Sequence, residues 1–339
     1  MNCSVLLRRV SGVAVCALAL GTAVQAAGSS DEPGAWLARM NEALSTRNYE
    51  GTFFHLSQGQ VETLRIVHRV HGGRVTERLS SLDGSGREFV RTNDELTCYL
   101  PDQKTVLVEP RREKNPFLGS LPQFNADVGA FYRIEALPAG RVMGRVTRVI
   151  SVSPKDQFRF GYRLWLDEQT AMPLKTQLCD ARGQVVEQII FASLDMPESI
   201  PENAVQPSVR TEGMRWVRQG VAAESPVSLA AFRASQLPPG FRLTVSRAQT
   251  LGDSHAPAAH LVYSDGLATV SVFVEPGPGK SPGEPGHAPA APAQSLSRVG
   301  AGYAFSTVVQ GHQVTAVGEV PAQTVEFIAH SMTANGSPR

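Results

Sequence analysis

The run of residues 260–275, HLVYSDGLATVSVFVE, constrains the fold of this chain most strongly. An apolar run leads into Ser264-Asp265-Gly266, and an alternating run follows. Asp-Gly supplies the left-handed backbone of a tight two-residue turn, and alternation is typical of strands, so the run predicts a hairpin. Leu267, Thr269, Ser271 and Phe273 share one face of its second strand, and Ala268, Val270, Val272 and Val274 share the other. Because the second face is wholly apolar, we expect it to be buried.

Strand patterns separated by turn residues fill much of the first half of the chain. Consecutive antiparallel strands with one apolar face form a curved sheet, and that face needs a cover. Trp36, Leu37, Met40 and Leu44 recur at helical spacing, so a helix over 33–46 is one candidate cover. The predicted class is α+β, with a curved antiparallel sheet covered by helices. The strand stretches are 49–57, 61–70, 75–79, 96–100, 105–109, 141–152, 158–166, 173–178 and 184–191.

The segment 116–132 interrupts this strand pattern and is the most aromatic part of the chain. Phe124, Val128, Phe131 and Tyr132 have the spacing of a short helix, which makes the segment a second candidate cover. Its aromatic side chains either line an apolar ligand cavity or pack against the sheet. The sequence leaves both alternatives open.

Prolines at positions 197, 201 and 207 indicate a domain boundary. We expect a first domain over 27–205, a linker over 206–226 and a smaller β-rich α+β domain over 227–335. The second domain contains the 260–275 hairpin, a further hairpin around Gln310-Gly311 and a closing helix. That helix is predicted from Val325, Ile328, Ala329 and Met332, with Pro321 in its first turn. The stretch 276–293 is dense in Pro, Gly and Ala and is predicted to be an exposed flexible loop.

Residues 1–26 have the features of a secretory signal peptide. Arg8 and Arg9 precede the apolar core at 13–20, and Val24-Gln25-Ala26 is a small-x-small cleavage site. The rest of the sequence contains no other run that approaches the ~20 apolar residues of a membrane span, so we expect a soluble exported protein. The formal net charge is +1, which provides no overall field to steer the chain to nucleic acid.

Cys98 and Cys179 remain after removal of the signal peptide, in an oxidising compartment. One alternative is a disulfide between them, which would stabilise the fold by roughly 4–5 kcal/mol in the chain-entropy model. The other is that they are separate, small apolar residues within strands.

The sequence contains no motif typical of catalysis or of metal binding. His68 and His71 would face opposite sides of a strand, with no carboxylate or cysteine at ligand spacing. Gly277-Pro278-Gly279-Lys280-Ser281 resembles part of a phosphate loop, but Val274 stands where its first glycine is required. We therefore predict a protein that is not an enzyme and has no metal or cofactor.

Four arginines give the strands near residue 70 a basic side. They are either a contact for anionic lipid or for an acidic protein segment, or a solvated strand face with edge-protecting charge. These residues are Arg65, Arg69, Arg74 and Arg78.

Eight sequence fragments, in order along both domains, resemble the RseB/MucB family of periplasmic regulators of bacterial envelope stress. The first domain contributes NYEGTF (48–53), HRVHGGRVTERLSSLDG (68–84), CYLPD (98–102), GYRLWLD (161–167) and PLKTQL (173–178). The second contributes LPPGFRLT (237–244), the 260–275 run and GHQVTAVGEVPAQTVEFIAHSM (311–332). The long loop at 276–293 looks like an expansion relative to the family.

The resemblance implies a fold and a partner. The first domain would be a half-barrel of the lipoprotein-carrier (LolA) type, with helices over its concave face. The partner would be the periplasmic domain of a membrane-spanning anti-sigma factor of the RseA/MucA type. Binding would shield that factor from its first protease and keep a sigma-E-type sigma factor inactive. Lipid or lipopolysaccharide signals would release the complex, and dimers or larger homo-oligomers are implied as well. A periplasmic lipid or lipoprotein carrier is the alternative that the first domain alone would suggest.

Pattern and resemblance together nominate site residues. We expect the 260–275 hairpin and the 311–332 segment to contact the partner, through Tyr263, Asp265, Leu267 and Val314. We expect five apolar residues of the first domain to lie near a lipid cavity. These are Phe53, Phe117, Leu118, Phe124 and Phe131.

Overall fold

A computed structural model describes residues 32–110, 128–218, 232–250, 257–276 and 294–334. The predicted signal peptide, residues 277–293 of the loop predicted at 276–293, and the cavity candidates Phe117, Leu118 and Phe124 lie outside these residues. Within the described ranges, no helix is long and apolar enough to cross a bilayer.

Twelve strands form one open sheet in the first part of the chain. They are β1 (Tyr49–Ser57), β2 (Gln60–His71), β3 (Arg74–Ser81), β4 (Glu88–Arg91), β5 (Glu95–Leu100), β6 (Thr105–Pro110), β7 (Tyr132–Val142), β8 (Arg145–Pro154), β9 (Gly161–Asp167), β10 (Pro173–Cys179), β11 (Val185–Asp195) and β12 (Arg215–Arg218). The spatial order is β12-β6-β5-β4-β3-β2-β1-β11-β10-β9-β8-β7. Two antiparallel meanders, β2–β6 and β7–β11, are therefore joined through β1.

One face of this sheet is covered by helix α1 (Pro33–Thr46), as the sequence predicts. Trp36, Leu37, Met40, Ala43 and Leu44 of the helix are buried in one cluster with apolar residues of the sheet. The spacing of these five residues gives the helix a single apolar stripe, and burial of that stripe against the sheet holds the helix in place. The predicted architecture, an antiparallel sheet covered by a helix, is confirmed for the described residues.

The segment before β7 differs from the prediction. Among the described residues helix α2 spans Val128–Phe131, and Tyr132 begins β7 instead of ending the helix. Tyr132 pairs with Pro154 of β8, so the hairpin β7–β8 starts nine residues before the strand predicted at 141. Strand pairing and burial of Tyr132 in the core outweigh the helical spacing of this short run.

The predicted linker also contributes structure. Within 206–226, β12 pairs in parallel with β6 and adds an edge strand to the first sheet. Trp216 of β12 is about half exposed and contacts the Tyr99 ring edge-on, with the ring centroids 6.5 Å apart. The four-residue strand was missed because it is too short to show an alternation.

The second part of the chain contains a six-stranded sheet and a helix. Its elements are β13 (Phe232–Ala234), β14 (Arg242–Thr250), β15 (Pro257–Ser264), β16 (Thr269–Pro276), β17 (Ser295–Val299), β18 (Gly302–Val309), β19 (His312–Gly318), α3 (Ala322–His330) and β20 (Met332–Ala334). The sheet order is β14-β15-β16-β19-β18-β17, and β13 pairs separately with β20. Val270, Val272 and Val274 are buried in one cluster with Val325 and Ile328 of α3, which confirms the apolar face predicted for the hairpin.

Among the described residues, the thiols of Cys98 and Cys179 are free and buried. Cys98 lies in β5 and Cys179 in β10, with five strands between them. At about 4.8 Å per strand spacing, that is roughly 29 Å along the sheet, whereas a disulfide requires Cα atoms within about 7 Å. The disulfide alternative is therefore wrong, and the two residues are separate apolar positions in strands. Burial raises the pKa of Cys98 to about 11 and also raises that of Cys179.

Candidate functional site at the junction of the two domains

The tip of the β15–β16 hairpin is a four-residue loop rather than the predicted two-residue turn. Ser264 and Thr269 are the last paired residues, so Leu267 lies in the loop and does not start the second strand. The Asp265 carboxylate closes this loop, because its Oδ1 accepts hydrogen bonds from the backbone N–H groups of Leu267 (2.8 Å) and Ala268 (2.7 Å). Such side-chain to backbone bonds are the reason that aspartate favours turns.

The second oxygen of Asp265 reaches into the first domain. Asp265 Oδ2 accepts hydrogen bonds from Arg159 Nη1 (2.6 Å) and from the Tyr132 hydroxyl (3.1 Å). The side chains of Arg159 and Asp265 are both 0% exposed. Burial, followed by the neighbouring Asp265 carboxylate, raises the pKa of Tyr132 far above its usual value. The phenol is therefore a permanent hydrogen-bond donor to this carboxylate.

Arg159 is enclosed by groups from both domains. Its Nε donates to Asp156 Oδ1 (3.1 Å), and its Nη2 donates to the Pro239 carbonyl of the second domain. The guanidinium lies 5.0 Å from the Phe131 ring centroid and 5.2 Å from that of Phe241. A buried charge is costly unless its partners satisfy it, and here every nitrogen has a partner from one domain or the other.

Gly240 allows the Pro238-Pro239-Gly240 turn to approach this site. Its φ is +81°, and a Cβ built there would lie 2.4 Å from the Phe131 ring. Only glycine therefore satisfies both the backbone conformation and the close packing. The turn brings the Pro239 carbonyl to Arg159, so Phe131 and Gly240 fix the position of the second domain on the first.

Further contacts extend the junction on both sides of the ion pair. Leu267 is 8% exposed and belongs to the apolar cluster of the first domain, with residues of α1 and the sheet. In α3, the Thr324 hydroxyl donates to the Phe158 carbonyl (2.8 Å), and the Phe327 ring packs on Phe158 at 5.6 Å between centroids. The junction is thus an extended packed interface with a buried polar centre.

The four predicted partner-contact residues are all buried. Tyr263 is 2% exposed, and its hydroxyl accepts a hydrogen bond from the Ala234 backbone N–H (2.9 Å). Val314 is 1% exposed, in the core between the second sheet and α3. Asp265 and Leu267 face the first domain. The structure brings Asp265 and Leu267 together at the junction and leaves Tyr263 and Val314 in the core of the second domain. Contact of these four residues with a partner stays a prediction.

The two described cavity candidates lie in different places. Phe53 is 3% exposed and packs on Phe191, with ring centroids 5.5 Å apart, in the main core. Phe131 lies at the junction, against Arg159 and Gly240. Whether the first domain holds a lipid stays a prediction.

Three of the four arginines near residue 70 are engaged within the chain. Arg65 pairs with Glu50 (2.7 Å) and Arg78 with Glu88 (2.9 Å), and Arg69 donates to the Ile200 carbonyl (2.9 Å). Two of the four charges are therefore neutralised by carboxylates and a third side chain is held by a carbonyl, which favours the solvated-face interpretation over an anion contact.

Arg159 was missed by sequence reasoning, although it is the centre of the junction. It stands between Phe158 and Phe160 in an alternating stretch, where the pattern predicts an exposed polar position. Nothing local marks it as buried, because its partners Asp265 and Pro239 are 106 and 80 residues away in sequence. Among the described residues, no group of three or more His, Cys, Asp and Glu side chains is arranged to hold a metal ion.

Comparison with known proteins matches both domains. A family model described as the MucB/RseB N-terminal domain matches residues 32–209, and one described as the MucB/RseB C-terminal domain matches residues 227–333. The chain is 34% identical over 319 residues to the sigma factor AlgU regulatory protein MucB of Pseudomonas aeruginosa, covering 91% of this chain and 92% of that protein. It is 26% identical over 323 residues to the sigma-E factor regulatory protein RseB of Escherichia coli K12, covering 93% and 95%.

A solved structure resembles the chain over nearly its whole length. A crystal structure of MucB in complex with MucA(peri) has a TM-score of 0.69 and 31% sequence identity, covering 90% of this chain and all of that one.

Proposed function

Because this chain belongs to the MucB/RseB family, we propose that it is a regulatory protein that binds the periplasmic region of an anti-sigma factor. The carrying observation is the match of both domains, in order, to MucB, together with the similarity to MucB in complex with MucA(peri). In this proposal, binding shields the anti-sigma factor from proteolysis and keeps its sigma factor inactive. The protein acts by binding and not by catalysis.

The proposed location is the periplasm. Residues 1–26 have the sequence of a secretory signal peptide, and the related structure contains a partner designated MucA(peri). Lipid or lipopolysaccharide is proposed as the releasing signal, with the first domain as its receptor.

We propose that the hairpin 260–275 and the segment 311–332 form the contact region for the partner. Helix α3 covers one face of the second sheet, and the opposite face carries partly exposed side chains from β16 and β19. Ser271 lies opposite Val317, and Phe273 lies opposite Thr315, so these four side chains form one continuous patch. Tyr263 and Val314 lie in the core of the second domain, and Asp265 and Leu267 hold the tip of the hairpin on the first domain. We infer that these four buried residues govern the partner contact by fixing the shape and position of the hairpin.

Calorimetry with the periplasmic region of the anti-sigma factor from the same organism tests the function. We expect a stoichiometric complex with protein that begins at residue 27, and protection of the anti-sigma factor in a protease assay. Addition of lipopolysaccharide fragments is expected to weaken the complex. Failure to bind the anti-sigma factor, together with capture of lipid and its transfer to an acceptor, would instead support a carrier.

Arginine substitutions test the contact region. Ser271→Arg and Thr315→Arg place a large charged side chain in the middle of the patch, and each is expected to weaken binding at least tenfold. Ser297→Arg is the matched control, because Ser297 is an exposed strand residue of β17 at the edge of the same sheet. Equal affinities for all three variants and the unmodified chain would remove the patch from the proposal.

A further inference from the structure

The outer face of the first sheet carries two neighbouring cations at β9 and β10. Arg163 lies opposite Gln177, and Trp165 lies opposite Lys175. Because alternate residues of a strand share a face, these four side chains stand side by side on the face opposite to the one that carries the buried Leu164 and Thr176. Lys175 Nζ lies 4.3 Å from the centroid of the Trp165 ring.

These cations differ from those elsewhere on the sheet. Arg65, Arg78 and Arg87 are each paired with carboxylates at 2.7–3.2 Å. In the part of the chain that the structure describes, no carboxylate lies within ion-pair distance of Arg163 or Lys175. The Arg163 Nε is fully buried and has no hydrogen-bond partner among the described residues.

The proximity of the two cations is itself unfavourable. Burial lowers the pKa of Lys175, and the charge of Arg163 lowers it further. The positive charges of Arg163 and Lys175 repel each other, and an anion bound between them would relieve the repulsion. The arrangement therefore favours a negatively charged ligand.

A groove of about 450 Å³ opens beside Arg163 and provides room for such a ligand. Its lining includes Ser151 and Ser153 of β8, Arg163 of β9 and Arg182 of the β10–β11 turn. The volume is within the range of pockets that hold small molecules or short segments.

The two carboxylates that line the groove are already engaged. Asp156 accepts hydrogen bonds from Arg159 Nε (3.1 Å) and from the Phe158 backbone N–H (2.9 Å). Asp180 accepts from the backbone N–H groups of Arg182 and Gln184, both at 2.9 Å. Both carboxylates are therefore hydrogen-bonded within the chain, whereas Arg163 and Arg182, which also line the groove, have no carboxylate within ion-pair distance among the described residues.

We propose that this groove and the adjoining face of β9 and β10 bind an acidic segment of a protein partner, with one carboxylate held in the groove by the guanidinium of Arg163 and a second one held on the adjoining face by Lys175. The planar guanidinium matches a carboxylate in a two-pronged geometry. Trp165 supplies an apolar wall for the stem of a bound side chain. The inference rests on the proposed function, since the partner it names is the periplasmic region of the anti-sigma factor.

Calorimetry with that periplasmic region, at two salt concentrations, tests the groove. We expect Arg163→Gln and Lys175→Gln each to weaken binding about tenfold and to reduce its salt dependence, because each removes one cation from the contact. Arg163→Lys is expected to bind more tightly than Arg163→Gln but less tightly than the unmodified chain, since lysine keeps the charge but lacks the planar guanidinium with its parallel N–H donors. Arg47→Gln is the control, because Arg47 is an exposed cation at the end of α1. Unfolding midpoints of all variants establish that they are folded.

The outcomes separate the two proposals. If the unmodified chain does not bind the anti-sigma factor, the proposed function fails. If it binds and Arg163→Gln binds equally well, the function stands and the groove inference is overturned. If Arg163→Gln binds the partner normally but loses binding to vesicles of phosphatidylglycerol and phosphatidylcholine, the groove belongs to a lipid surface and the inference is likewise overturned.

Discussion

The guanidinium of Arg159 and the carboxylate of Asp265 lie 2.6 Å apart between the two domains, and neither side chain is exposed to solvent. Asp265 serves both domains, because one oxygen closes its own hairpin loop and the other binds Arg159. The position of the β15–β16 hairpin is thereby coupled to the first domain. Any signal that moves residues around Arg159 acts on the hairpin directly.

Arg159→Gln is expected to destabilise the folded protein by about 3–5 kcal/mol, because it leaves the Asp265 carboxylate buried without its cation. Urea unfolding measures the change. Asp265→Asn in the same background is expected to recover part of the loss, since asparagine keeps an oxygen for the loop and removes the unpaired charge. Additive effects of the two substitutions would show that the pair is not energetically coupled.

Gly240→Ala is expected to lower stability by more than the roughly 1–2 kcal/mol that a left-handed residue costs. Its Cβ would meet the Phe131 ring as well as adopt φ +81°. Gly213→Ala is the matched control, because Gly213 has φ +77° with no atom within 4 Å of the new Cβ. Equal losses in unfolding free energy for the two variants would show that the contact with Phe131 contributes nothing.

Acid is expected to destabilise the protein through His260. Burial and then the charge of Arg247 lower the pKa of His260 to about 4, and its Nδ1 accepts a hydrogen bond from Arg247 Nε (3.0 Å), which requires a neutral ring. In the unfolded chain the pKa is about 6.5, so the unfolded state binds the proton first and stability falls as the pH drops from 6.5 towards 4. The full loss over this window is roughly 3 kcal/mol.

Urea midpoints at pH 7.5, 6, 5 and 4 measure this effect. His260→Gln is expected to flatten the dependence over that window, whereas His71→Gln, at the exposed end of β2, is expected to leave it unchanged. If the urea midpoint of His260→Gln falls with pH as steeply as that of the unmodified protein, the acid sensitivity belongs to other groups.

Thiol counting is expected to find two free cysteines in non-reduced protein that begins at residue 27 and is unfolded in denaturant. In the native state at pH 8 both should react slowly, because burial holds their pKa values above the usual range and leaves little thiolate. Absence of titratable thiols in denaturant would restore the disulfide between Cys98 and Cys179.

The sequence by itself determined the local elements of this protein. Helix α1, strand β1 and the hairpin β18–β19 follow directly from the spacing of apolar residues and from turn residues such as Gln310-Gly311. The burial of Val270, Val272 and Val274 follows from alternation in the same way. These features depend on neighbours a few residues apart, which is the range that a sequence pattern reports.

Only the tertiary structure decided how the domains meet. The approach of Arg159 to Asp265 bridges 106 residues, and the contact between Gly240 and Phe131 likewise joins distant parts of the chain. It also decided that Leu267 packs on the first domain, that β12 joins β6, and that five strands separate Cys98 from Cys179. A buried charge satisfied by distant partners leaves no local periodicity, because its environment is created by chain folding and not by its neighbours in sequence.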